Sequence, residues 1–335
     1  MNGKTANTID TKKLASLIQT YGIVLVLIIM IIVISILNPR FLGVTNLFNV
    51  LSQTAIYGIL ALGMTFVITS QGIDLSVGSV LALAGCVAAS FAQVSGASQK
   101  YFPNMGQMPL IVPILLCLLV GSLSGALNGW LIAATKIPPF IATLGMHTVA
   151  RGLVLVYTGG IPISNLLPAF DSIGQGKIFG YIPVAVLVYI FMILISWVLL
   201  HNTKFGKAVY ALGGNKRAAE ISGVNVSRTL IIIYAYCGLL ASVAAIVYAG
   251  RAGSMHPSAA TGYELTAVAA TTVGGTSHTG GIGTIWGAVI GALLISVLRN
   301  GLTLLSVSSY WQQIAEGVII VAAVIVDMRK NRGKK

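Results

Sequence analysis

The chain has 335 residues, of which 56% are hydrophobic and 8% charged, with a formal net charge of +13 and a mean hydropathy of +0.92. A soluble domain carries about 25% charged residues, so this composition excludes one. Apolar runs of membrane-crossing length recur from end to end, which specifies an all-α, polytopic membrane helix bundle rather than a barrel of short alternating strands.

In chain order, the amino-terminal residues 1–19 form a basic tail with Lys4, Lys12 and Lys13. The first apolar run, 21–37, is not followed by a small-residue cleavage site, so it reads as a retained span. Pro39 stops it, because the residue before proline resists the α region. Thr45 or Asn46 opens a span reaching about residue 70, and a third covers 75–91. A polar stretch with Pro103 and Gly106 precedes a span over 110–134. Lys136 lies in the turn before the span 140–157, which contains His147 and Arg151. Residues 158–183 lack an apolar run and are expected outside. A span over 183–200 returns to the cytoplasm. The segment 201–228 holds Lys204, Lys207, Lys216, Arg217 and Arg228 and is expected inside. A span over 229–250 goes out again.

Two obvious spans remain, 285–304 and 309–327, before the basic tail 328–335. They would leave that tail outside. A third crossing restores parity, and 261–275, which carries Glu264, is the candidate. The result is a single transmembrane domain of about ten spans with both termini in the cytoplasm. About fourteen of the twenty Lys and Arg residues then lie inside, as the positive-inside rule requires. The basic residues sit at span ends rather than among exposed aromatics, so no nucleic-acid partner is implied. The stretches 70–85 and 277–294 echo each other, each opening a helix with glycines after a polar break.

Several polar residues need a reason at membrane depth. In "SQGIDLSVG", Gly72 permits a turn and Asp74 is expected to cap a helix starting at Leu75, where a carboxylate meets free N–H groups and the positive end of the dipole. Ser76 is the competing cap. Glu264, beside Tyr263 and after Gly262, is placed similarly. Both carboxylates also remain candidates for the solute path or for gating, together with Ser76 and Tyr263. His147 and Arg151, four apart, share one helix face, with Arg151 expected to anchor packing. His256 and His278 read as loop residues without a metal cluster. Cys86, Cys117 and Cys237 read as small core residues. The chain holds no G-x-x-x-x-G-K-[ST] loop, no G-x-S-x-G elbow, no H-E-x-x-H and no C-x-x-C, so it is not read as an enzyme, and no cofactor is expected on it.

Within 201–228, Gly213 and Gly214 are expected to break the preceding structure. "NKRAAEIS" then forms a short amphipathic helix ended by Gly223 as its C′ residue. A small rigid helix projecting from a bundle suits a partner's groove.

"NKRAAEISGV" resembles the Ala-Ala…Gly coupling loop of ABC-importer permeases. "NLFNVLSQTAIYGILALGMTFVITSQGIDLSVGSVLALAG", "PPFIATLGMHTVARGLVLVYTGG" and "GYELTAVAATTVGGTSHTGGIGTIWGAVIGALL" extend the resemblance over about residues 40–327, to the ribose-type monosaccharide permeases. This chain lacks the wider importer motif's glutamate before the alanine pair; its Glu220 follows the pair instead. The resemblance implies a permease subunit in a bacterial inner membrane, working as a homodimer and importing a monosaccharide, with ribose favoured. It implies a sugar-binding protein outside and a tandem-domain ATPase subunit inside, with ATP and Mg on that ATPase. Gly214, Lys216, Arg217, Ala218, Ala219, Glu220 and Gly223 would form the ATPase-coupling loop. The rival reading is an ion-coupled secondary transporter using Asp74 or Glu264; a scaffold protein is a third.

Overall fold

A computed structural model describes residues 11–97 and 99–331. The expectations for residues 1–10 and for the last four of the basic tail, 332–335, lie outside the described residues.

The fold is helical, with two tiny antiparallel strand pairs. Its helices are α1 (Thr11–Leu37), α2 (Val44–Thr69), α3 (Val77–Phe91), α4 (Ile111–Thr135), α5 (Pro139–Thr158), α6 (Pro168–Gln175), α7 (Val184–Asn202), α8 (Lys204–Gly214), α9 (Lys216–Ile221), α10 (Val226–Ala252), α11 (Tyr263–Val273), α12 (Ile285–Leu304) and α13 (Ser309–Asn331). Among the described residues six helices, α2, α4, α5, α7, α10 and α12, are long and apolar enough to cross a membrane. Shorter apolar helical stretches lie at 22–37, 77–91 and 309–325. α11 has 11 residues and is about 16 Å long at 1.5 Å per residue, half of a hydrocarbon core.

Most helix bounds fall close to the apolar runs, but several places differ. α1 begins at Thr11, ten residues before its apolar run and inside the expected tail 1–19. α2 begins at Val44 with Gly43 at its N-cap, so neither Thr45 nor Asn46 caps it. α3 begins at Val77, two residues after the expected start at Leu75. The expected irregular outer segment contains a helix, α6, whose Phe170 and Gly174 are buried. Gly213 and Gly214 do not precede a break of any length. They are the last two residues of α8, and α9 starts after the single residue Asn215.

α2 and α10 form the centre. α2 is buried along almost its whole length from Thr54 to Thr69, so it is apolar all round because protein surrounds it. α4 packs along α10 through Gly121, Gly125 and Gly129. A Cβ at Gly125 would lie 2.1 Å from the Tyr234 carbonyl oxygen, so larger residues would force the helices apart.

The bundle has two distinct ends. One carries α6, and the pair Ile163–Ser164 and Ser254–Met255 zips it together. The other carries α8 and α9. The segment 253–283 runs from the first end to the second: Ser254 pairs with Ser164, while the Tyr210 hydroxyl on α8 donates to the Gly283 carbonyl at 2.6 Å. It makes this passage as an irregular stretch followed by the half-length α11.

The two echoing glycine-rich breaks touch. Gly281 N–H donates to the Thr69 carbonyl at 2.8 Å, and the Gln71 amide donates to the Thr279 carbonyl at 2.6 Å. Each break supplies partners for backbone groups the other leaves open. Next to them His278 meets Thr272 Oγ1 at 2.8 Å, and its backbone N–H donates to the Asp327 carboxylate at 3.1 Å. Burial holds the His278 ring below the ordinary histidine range, against the opposing pull of Asp327.

Candidate functional site: two helix breaks, an intramembrane ion pair and a projecting helix

The first break follows α2. Asp74 is 1% exposed. Its Oδ1 accepts from the Ser76 N–H at 2.9 Å and the Ser76 hydroxyl at 2.6 Å. Ser76 itself occupies the N-cap position of α3 without a side-chain cap bond. The expected cap is therefore shifted: Asp74 closes a tight turn onto Ser76 instead of taking N–H groups from the first helical turn. The α4 residue Asn128 donates to Ser76 Oγ at 2.9 Å, and the Cys237 thiol of α10 lies against the Asp74 carboxyl. Carbonyls freed by the break find partners on α5: Thr143 Oγ1 donates to Ile73 at 3.2 Å, and His147 Nδ1 lies 3.1 Å from the Leu75 oxygen. An irregular backbone survives at this depth because protein satisfies it.

The second break precedes α11. Arg151, one helical turn beyond His147, donates through Nη1 to the carbonyls of Pro257 at 2.6 Å and Ala259 at 3.1 Å. One face of α5 thus holds both breaks. Glu264 is 9% exposed. Its Oε1 accepts from Gly262 N–H at 3.2 Å, the local cap expected for it. Its Oε2 has no hydrogen-bond partner among the described residues and lies over Gly78, where a Cβ would come within 2.3 Å of it. Only glycine at the start of α3 lets this carboxylate approach. Asp74 and Glu264 are not brought together: each serves its own break.

Tyr263 belongs to a network that the sequence reading missed. Arg299 on α12 is paired with Glu316 on α13. Arg299 also donates to the Tyr57 hydroxyl at 2.5 Å and to Thr266 Oγ1 at 3.1 Å, and Thr266 donates to Glu316 Oε1 at 2.6 Å. The guanidinium lies 4.9 Å from the Tyr57 ring centre, and the Tyr57 and Tyr263 rings meet edge to face at 4.9 Å. Both charges stand in apolar helices, which was the available signal: intramembrane charges face inward and pair.

The projecting element is α8 followed by α9. The Asn215 side chain accepts from Ala218 N–H at 3.0 Å, an N-cap. Gly223 takes φ +86°, and Val224 N–H reaches back to the Ala219 carbonyl at 3.0 Å, which closes the helix in the left-handed manner glycine favours. Lys216, Arg217, Ala218 and Glu220 face outward, as does Gly214. Ala219 does not: it is buried against the bundle. Ile221, by contrast, is 81% exposed at the tip. The exposed apolar side chains of α9 are thus Ala218 and Ile221.

Comparison with known proteins decides the class. The family described as "Branched-chain amino acid transport system / permease component" matches residues 46–324. The chain belongs to this permease family. The ribose import permease protein RbsC of Escherichia coli (strain K12) is 43% identical over 309 residues, 91% of this chain and 92% of that protein. RbsC of Bacillus subtilis (strain 168) is 45% identical over 315 residues, 93% of this chain and 94% of that one. The galactose/methyl galactoside import permease protein MglC of E. coli (strain K12) is 37% identical over 335 residues, 98% and 100% of the two chains. No solved structure matches significantly. For a permease of this family the two breaks are features of a crossing bundle, and α8–α9 is a projection at one of its ends.

Proposed function

We propose that this permease is the membrane subunit of an ATP-driven monosaccharide importer, with ribose as its sugar. The single observation that carries this is the 43–45% identity to ribose import permeases over nine-tenths of the chain. The chain crosses the membrane ten times, with α3 and the 253–273 segment as the short crossings and α6 on the outer side. Both termini and α8–α9 lie in the cytoplasm, where the basic residues concentrate. Sugar arrives from a binding protein outside, and two copies of the permease assemble around the path.

The energy comes from a separate tandem ATPase, which would carry ATP and Mg. α9 docks on it. A capped, glycine-terminated helix with cations and an exposed isoleucine offers a rigid apolar anchor inside a polar rim, the arrangement that suits a protein groove. Asp74 and Glu264 are assigned to holding the two breaks rather than to carrying a coupling ion, because each carboxylate accepts from backbone N–H groups of its own turn. The test is uptake of labelled ribose into vesicles containing the permease, the ATPase and the binding protein. Uptake that depends on ATP supports the reading; uptake indifferent to ATP defeats it.

A further inference from the structure

Arg299 and Glu316 open onto a cavity of about 480 Å³, whose walls also include Thr261, Gln312, Gln313 and Leu265. That volume lies in the range of small-molecule sites. Its depth follows from the helices. Asn38 donates to the Leu304 carbonyl at 3.0 Å, so α12 ends near the turn between α1 and α2, at the α6 end of the bundle. Arg299 stands five residues before that end and Glu316 seven residues after the start of α13. At 1.5 Å per residue the pair is about 8–10 Å inside.

What the cavity faces can be argued from what lipid does not tolerate. Ser258 and Thr261 are exposed on irregular backbone inside the bundle, and non-helical backbone at membrane depth occurs only where protein or water covers it. The Gln313 amide is exposed on α13 and has no hydrogen-bond partner among the described residues. An unpaired amide on a spanning helix is costly in hydrocarbon. The exposed Thr261 and the unpaired Gln313 amide on one wall, beside the Arg299–Glu316 pair, mark this face as water-lined.

The chemistry of that wall is specific. Arg299 and the Gln313 amide donate; the Glu316 carboxylate, the glutamine carbonyls and the Thr261 hydroxyl accept; Leu265 supplies an apolar surface. Alternating donors and acceptors around an apolar patch fit a ring whose edges are hydroxyls and whose faces are C–H. The fixed charge pair is neutral overall, so it would neither repel nor trap a neutral solute. We propose that this cavity is a monosaccharide-contact site on the import path, with Gln313 and the Arg299–Glu316 pair holding the sugar hydroxyls after release from the binding protein. This rests on the importer reading above and adds the place of contact.

The experiment uses the full chain with its ATPase and binding protein in vesicles. Gln313→Cys is treated with a water-soluble methanethiosulfonate reagent, with Ile314→Cys, on the neighbouring exposed apolar position, as the comparison. The native cysteines are buried, and the unsubstituted protein controls for them. Gln313→Cys should react while Ile314→Cys does not. Excess ribose should slow the reaction, and modification should cut uptake about tenfold while ATP hydrolysis stimulated by the binding protein persists. No reaction at Gln313→Cys, or full uptake after modification, would each overturn the contact site and leave the importer reading standing. Failure of the unmodified protein to take up any monosaccharide would instead overturn the importer reading, and this site with it.

Discussion

Arg151 donates to the carbonyl of Pro257, 2.6 Å away, and so fastens the irregular segment before α11 to the middle of α5. The second nitrogen of the same guanidinium has no partner among the described residues, so the charge is half satisfied and its place is set by the loop it holds. Hydrogen bonds to charged groups contribute about 1.5–3 kcal/mol each. Arg151→Ala is expected to lower the unfolding temperature in detergent and the folded yield together. Arg151→Lys, which keeps one donor, should fall between. Equal stability of all three proteins would mean that the loop is held by something else.

Asp74→Asn and Asp74→Ala separate structure from ion coupling. Asparagine keeps an acceptor for the Ser76 N–H and hydroxyl. Alanine leaves both donors buried without one, at about 1–3 kcal/mol. The structural role predicts that Asn retains most uptake at near-normal yield while Ala loses yield and uptake in parallel. A well-folded, inactive Asn variant would show that the charge itself is needed.

The parts of the fold that were legible in the sequence are those where lipid dictates composition. α4, α7 and α12 lie within a residue or two of their apolar runs because a membrane-crossing helix needs a long, predominantly apolar stretch. α6 was hidden because it lies at the bundle end, where Phe170 and Gly174 alone mark its buried side. The start of α3 was misjudged because a turn and a cap use the same residues, Asp and Ser, and only the Asn128 and α5 contacts decide between them. The Arg299–Glu316 pair was missed for a different reason: its partners are far apart in sequence, and neither forms a motif. In the projecting helix, the resemblance placed both alanines in the coupling loop. The bundle beneath buries Ala219 and turns Ile221 outward, which no local pattern could reveal.

That distinction gives the coupling test. Ile221→Asp should abolish co-purification of the ATPase and ATP-driven uptake at unchanged yield, since a charge buried in a partner's groove without a mate is strongly unfavourable. Ala219→Asp should reduce yield first, because it strikes the permease's own packing. If Ile221→Asp keeps both ATPase and uptake, α9 does not dock through its tip.

Orientation is open to direct labelling. Tyr181 and Arg217 are both exposed, near opposite ends of the bundle. Cysteine at Tyr181 should be modified by an impermeant reagent in intact cells, and cysteine at Arg217 only after permeabilisation. Modification of both from the same side would overturn the ten-crossing scheme.

The most direct measurement of the central claim is labelled-ribose uptake by proteoliposomes holding the permease and its ATPase, with the binding protein outside and an ionophore present. The account predicts uptake that requires ATP within the lumen reached by the ATPase and is indifferent to the ionophore. Uptake that continues without ATP and collapses when the ionophore is added would contradict it.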